Sequence, residues 1–211
     1  MELEGVGKMK LSKLREKLPN LTHYMQYNPA QFLREQPVDE GELKAVLEEA
    51  NTYLRQVLQE PKVDPQVLIY LYSYLGNGYR VLYQTSKAVQ YLEKALELTK
   101  QEEDLQGELR ALIRLGEAFK YDERHEAALA CFEQALAISS YKDLENYRDY
   151  ALQHMGKCLL ELGEYENAIL RFEEALDLRK KKNNPSLVLA TETAIVLAHI
   201  IQEEEGSTPS L

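Results

Sequence analysis

Apolar positions recur along this chain in a pattern that repeats three times without a gap. The first stretch reads Tyr72, Leu75, Gly76, Tyr79, then Ala88, Leu92, Ala95; the second reads Leu112, Leu115, Gly116, Phe119, then Ala128, Phe132, Ala135; the third reads Leu152, Met155, Gly156, Leu159, then Ala168, Phe172, Ala175. Equivalent glycines, like equivalent alanines, stand 40 residues apart. Within each stretch the apolar side chains return at three- and four-residue spacing, which lines them on one face of a helix. Each unit therefore predicts a helix pair, with turns at Gln84-Thr85-Ser86, at Asp122 and at Gly163. Glycine inside a helix costs about 1 kcal/mol relative to alanine, so its return in one register predicts close approach of the paired helix. One pair cannot cover its own apolar face. Stacked neighbours can, which predicts a solenoid.

The flanks extend the pattern. Asp39 has the chemistry of an N-cap for a leading helix over 41–59 that carries Leu43, Val46, Leu47, Ala50, Tyr53, Leu54, Val57 and Leu58. Asp64-Pro65 restarts the chain as cap plus first helical residue, opening units over about 65–102, 105–140 and 145–182. Asn184-Pro185 repeats that signal before a closing helix over 186–203, and residues 204–211 are expected to form a mobile tail. Residues 1–40 lie outside the repeat; Leu11–Leu18 and Pro29–Glu35 are expected to form short helices that cap the array or dock elsewhere. The closing helix is apolar around nearly its whole circumference, so it needs cover on two sides. That cover comes either from the same chain or from a second copy meeting Ile195, Leu197, Ile200 and Ile201.

The repeated residues resemble the tetratricopeptide repeat, over about Pro65–Leu178. Its pattern runs W-x2-L-G-x2-Y, then A-x3-F, then P. Tyr72, Leu112 and Leu152 stand in place of the tryptophan, and the closing proline is absent. The long period is similar to that of LGN/Pins adaptors, kinesin light chains and bacterial Rap-type regulators; Leu75-Gly76-Asn77-Gly78-Tyr79 looks most like the LGN/Pins form. The resemblance implies an all-α fold, a right-handed α–α superhelix of three full helix pairs plus flanking helices. It also implies that the first helices of successive pairs line a concave groove that receives a peptide.

Carried over from the glycine register, the groove positions are Tyr70, Ser73, Tyr74, Asn77, Arg80 and Val81 in the first unit. They are Arg110, Ile113, Arg114, Glu117, Lys120 and Tyr121 in the second, and Tyr150, Gln153, His154, Lys157, Leu160 and Glu161 in the third. Arg80, Arg110, Arg114, Lys120 and Lys157 make this a basic, tyrosine-lined lane, expected to take an acidic protein or peptide. The alternative is an ordinary solvated surface on which Arg114, Glu117 and Lys120 neutralise one another.

Composition narrows the remaining choices. The chain has 211 residues, 45% of them apolar, which is enough for a continuous core. A net charge of −10 argues against a general nucleic-acid surface. Charges from Glu2 to Lys17 break up any secretory signal, no apolar run is judged long enough to span a bilayer, and a cytoplasmic location is expected. Cys131 and Cys158 sit within helical apolar patterns and are expected to be buried core thiols. There is no paired-cysteine zinc spacing, no phosphate loop and no nucleophile elbow, and His154 has no nucleophile in its register. Neither catalysis nor a cofactor or metal is expected. Two rivals to a binding scaffold remain: a Rap-like regulator acting on a response regulator, and a homo-oligomeric assembly factor working through its closing helix.

Overall fold

The computed structural model describes residues 9–141 and 143–206. The first eight residues of the charged N-terminal stretch, and residues 207–211 of the expected tail, lie outside the described residues; 204–206 belong to the last helix.

A short helix α1 (Leu11–Lys17) precedes two antiparallel strands, β1 (Met25–Asn28) and β2 (Arg34–Pro37). Then come α2 (Glu40–Val57), α3 (Pro65–Val81), α4 (Thr85–Gln101), α5 (Leu105–Tyr121), α6 (His125–Ile138), α7 (Arg148–Glu161), α8 (Tyr165–Lys181) and α9 (Pro185–Gly206). Asp39 and Asp64 cap α2 and α3, accepting from the amides of Glu42 and Gln66, and Asp104 does the same for α5 through Gly107.

Helices α3–α4, α5–α6 and α7–α8 are the three pairs, with α9 packed on α8. The recurring glycine is where each pair closes. A Cβ on Gly116 would lie 2.6 Å from the Phe132 ring, and one on Gly156 2.6 Å from Phe172. The ring of the second helix thus fills the space the first helix vacates. Most turns between helices place a residue in the left-handed region, at Tyr83, Glu103, Glu123, Gly163 and Asn183. After α3, the amide of Gln84 reaches back to the carbonyl of Tyr79 and that of Tyr83 to Arg80, pairing carbonyls the helix end leaves open.

The segment expected as a helix over Pro29–Glu35 is instead the turn and second strand of the hairpin. A 3-10 turn at Pro29–Gln31 and two left-handed residues, Phe32 and Leu33, reverse the chain, and Arg34 pairs with Asn28. The left-handed pair Phe32 and Leu33 ends any helical run after a single turn.

The last helix corrects one expectation. Pro185–Glu205 is long and apolar enough, by length and composition, to cross a membrane, contrary to the reading that no such run exists. Of the side chains expected to meet a second copy, Ile195, Leu197 and Ile201 are partly buried against the array's core and Ile200 is exposed. The outward apolar face is formed by Leu189, Val196 and Ile200, which are 66%, 57% and 47% exposed.

Candidate partner-binding groove

Helices α3, α5 and α7 lie side by side, so the first helix of every unit contributes to one surface. The N-terminal hairpin is docked on that surface. Arg34 donates from Nε and Nη2 to the two carboxylate oxygens of Glu161, at 2.9 and 2.6 Å, and from Nη2 to the carbonyl of Lys120. Glu35 pairs with Arg80, its amide donates to the Tyr121 hydroxyl, and that hydroxyl faces the Glu35 carbonyl at 3.0 Å. Lys157 Nζ donates to the carbonyl of Leu33 at 3.2 Å and lies 4.4 Å from the centre of the Tyr27 ring. Further along, Tyr74 donates to the carbonyl of Pro19.

Most of the charges under the hairpin are buried and matched. Glu161 also takes Lys120 Nζ at 2.6 Å and His125 Nε2 at 3.1 Å. Burial would raise the Glu161 carboxyl, but Arg34 and Lys120 outweigh it and hold it below the usual carboxylate value. Glu117 lies 3.7 Å from Arg80 and 3.1 Å from His154 Nδ1. Burial opposes its charge as well, yet Arg80, His154 and Lys157 together hold it well below the carboxylate range. Among the described residues Lys157 forms no ion pair with a carboxylate, and burial followed by repulsion from Lys120 lowers it to about 8. Lys120 is lowered by burial despite the pull of Glu161. Tyr121, ringed by Arg80, Arg34 and Lys120 at 4.8 to 5.1 Å, is raised by burial and remains a phenol.

Arg110 and Arg114 differ. Neither has a hydrogen bond or ion pair among the described residues, and both line a cavity between α1, α3 and α5. In place of the alternative in which Arg114, Glu117 and Lys120 neutralise one another, Glu117 pairs with Arg80 and His154, and Lys120 with Glu161.

Residues 68–140 match one tetratricopeptide-repeat family model and residues 151–186 match another, together just over half of the chain. The chain belongs to the tetratricopeptide-repeat family. No curated protein matches its sequence. Among solved structures, this tetratricopeptide array is similar to the apo form of RapI, with 21% identity and a TM-score of 0.64 over 78% of this chain and 45% of that one. It is similar to aspartyl phosphate phosphatase F of Bacillus subtilis, with 16% identity and a TM-score of 0.66 over 78% and 43% of the two chains. A Podospora anserina protein described as a kinesin light chain, with nearly identical TPR-like repeats, gives 16% identity and a TM-score of 0.62 over 79% and 82%. The chain thus spans less than half the length of the first two of these structures, and at these identities the likeness concerns the fold.

The tetratricopeptide register brings together the residues the sequence nominated. Tyr70, Tyr74, Asn77, Arg80, Arg110, Arg114, Lys120, Tyr121, Tyr150, His154 and Lys157 all lie on α3, α5 and α7. The hairpin divides them. Arg80, Lys120, Tyr121 and Lys157 contact it directly, whereas Tyr70, Asn77, Arg110 and Arg114 line open cavities. Tyr150 and His154 border a cavity of about 540 Å³ shared by Tyr27 of the hairpin and Leu187 of α9. Sequence reasoning missed Arg34 and Glu35, the hairpin's own contributions to the lane. The available signal was an Arg-Glu pair following Asn28-Pro29, opposite in sign, position by position, to Glu161 and Arg80. Both cysteines are buried, which pushes the thiols up, Cys131 to about 11 and Cys158 to about 12, so neither is a thiolate near neutrality.

Proposed function

We propose that the chain is a non-catalytic, cytoplasmic interaction scaffold that receives an acidic partner peptide on the concave face of its tetratricopeptide array. The observation that carries this reading is the unmatched pair Arg110 and Arg114, open to a cavity in a protein of net charge −10. Guanidinium groups left without a carboxylate on such a body are positioned to grip one from outside, through two parallel hydrogen bonds. The partner extends along the part of the groove the hairpin leaves free, past Tyr70, Ser73 and Asn77.

The double variant Arg110→Glu, Arg114→Glu tests it. Fluorescence anisotropy with labelled pools of Glu-rich nonapeptides is expected to show binding by the parent chain and none by the variant, with the helical circular dichroism unchanged. Equal binding by the two proteins sinks the groove assignment.

A second reading rests on a different surface. Leu189, Val196 and Ile200 form an outward apolar face on α9, and self-association through it would make the chain a homodimer. Val196→Glu with Ile200→Glu is then expected to convert dimer to monomer in sedimentation velocity; a parent chain that is monomeric at high micromolar concentration removes this reading. The Rap-like reading, in which the chain acts on a response regulator, draws on the fold alone. Faster phosphate loss from a phosphorylated response regulator on adding the chain would favour it.

A further inference from the structure

The open end of the groove holds more positive charge, and more uniform donor chemistry, than a single carboxylate requires. A cavity of about 370 Å³ lined by Arg15, Tyr70, Ser73, Asn77 and Arg114 runs beside one of about 210 Å³ that shares Arg15, Tyr70, Ser73 and Arg114 and adds Arg110. Arg15 comes from α1 and is held over the Tyr70 ring, 5.9 Å from its centre. None of the three guanidinium groups has a hydrogen bond or ion pair among the described residues. Elsewhere in the molecule the buried guanidinium groups do: Arg80 pairs with Glu35 and Arg179 with Asp149. Two carboxylates whose fields reach Arg114, Glu117 and Glu35, are both engaged by Arg80. Burial lowers Arg114 against the pull of Glu117, and repulsion from Arg80 and Arg110 adds to the fall.

The neutral groups around this charge present donors. Asn77 Oδ1 is taken by Arg80, which donates from Nη2 at 2.8 Å, so its amide nitrogen is the part left to interact. Burial raises Tyr70, which keeps its phenolic proton. Ser73 adds a hydroxyl. A carboxylate brings one negative charge and two acceptor oxygens to this set, whereas a phosphoryl group brings a charge of about −1.5 to −2 and three acceptor oxygens. Leu21 lines the larger cavity and Ile69 the smaller, adding apolar surface to each.

We infer that the pocket formed by Arg15, Arg110 and Arg114 with Tyr70, Ser73 and Asn77 binds the phosphoryl group of a phosphorylated serine or threonine on a partner protein. The inference rests on the reading of the concave face as a peptide groove and names the group it selects.

The full chain is titrated with three probes: a pool of nonapeptides centred on phosphoserine, the same pool centred on glutamate, and inorganic phosphate. The phosphoserine pool is expected to bind at least about tenfold more tightly than the glutamate pool. That preference is expected to vanish in Arg114→Gln and in Arg15→Gln. The second variant lies on an exposed position of α1, outside the array's core, so its effect cannot come from unfolding of the repeats. Equal binding of the two pools overturns the phosphoryl assignment and leaves the acidic-peptide reading standing. Binding of neither pool overturns both. Inorganic phosphate binding as tightly as the phosphoserine pool overturns a protein-borne group in favour of a free one.

Discussion

The two ends of the surface shared by α3, α5 and α7 use the same residue types in opposite ways. Under the hairpin, Arg80, Lys120 and Lys157 are buried and engaged, chiefly with Glu35, Glu161 and the carbonyl of Leu33. Beside α1, Arg110 and Arg114 line a cavity and form no ion pair among the described residues. A fully buried cation must be matched within the fold because desolvation makes its isolation costly, while exposed Arg110 and half-buried Arg114 keep part of their water at the cavity until a ligand arrives. The difference between structural and available charge therefore follows from what lies opposite each side chain.

The comparison breaks most severely at Glu161. Glu161→Ala would leave Lys120 buried and Arg34 unpaired, and we expect a loss of about 3–5 kcal/mol in urea denaturation. If the loss is under 1 kcal/mol, the filled end is not held by its charges. Gly116→Ala acts on the layer beneath. The new Cβ would stand 2.6 Å from Phe132, and overpacking is expected to cost about 1–3 kcal/mol, net of the helix-propensity gain. Adding Phe132→Leu should recover part of that loss, which thermal denaturation of the single and double variants will measure.

Acid titration sharpens the same contrast. Glu117 and Glu161 have folded values below the ordinary carboxylate one, so their stabilisation is fully present above about pH 4.3 and is lost as pH falls through the folded values. Denaturant midpoints should decline across that window, and Glu161→Gln should flatten the decline. Lys157 has the opposite profile. At about 8 it releases its proton in the folded state before the unfolded chain does near 10.4, so stability should rise with pH between those values. Lys157→Met should reduce that rise, leaving the part due to Lys120, which burial also lowers. At the open end the expected effect on stability is smallest: Arg110→Gln should stay within about 0.5 kcal/mol of the parent while weakening capture of Glu-rich peptides.

Much of the fold was legible because it is written in local spacing. Gly116 is followed sixteen residues later by Phe132, and the same offset joins Gly156 to Phe172, so the ring-over-glycine contact repeats with the period. Asp39 and Asp64 announce helix starts through chemistry that acts over two or three residues. The lane's membership was legible for the same reason, since a register places side chains on a face whatever covers it. The hairpin was harder to see: Pro29–Glu35 is too short for periodicity to separate a helical turn from a strand, and its partners lie far along the chain. On α9, apolar residues surround the helix, so composition could not show that Ile195 and Leu197 turn inward while Leu189 and Val196 turn out.

The sequence by itself determined that this protein is a stack of tetratricopeptide helix pairs and which side chains share its inner face. Those properties depend on contacts a few residues apart or repeated every 40. Only the tertiary structure decided which of the inner cations are spoken for. Arg34 meets Glu161 across 127 positions and Glu35 meets Arg80 across 45, and no local spacing encodes a meeting of that kind. The groove's available chemistry is what remains after the chain has folded one of its own segments onto it.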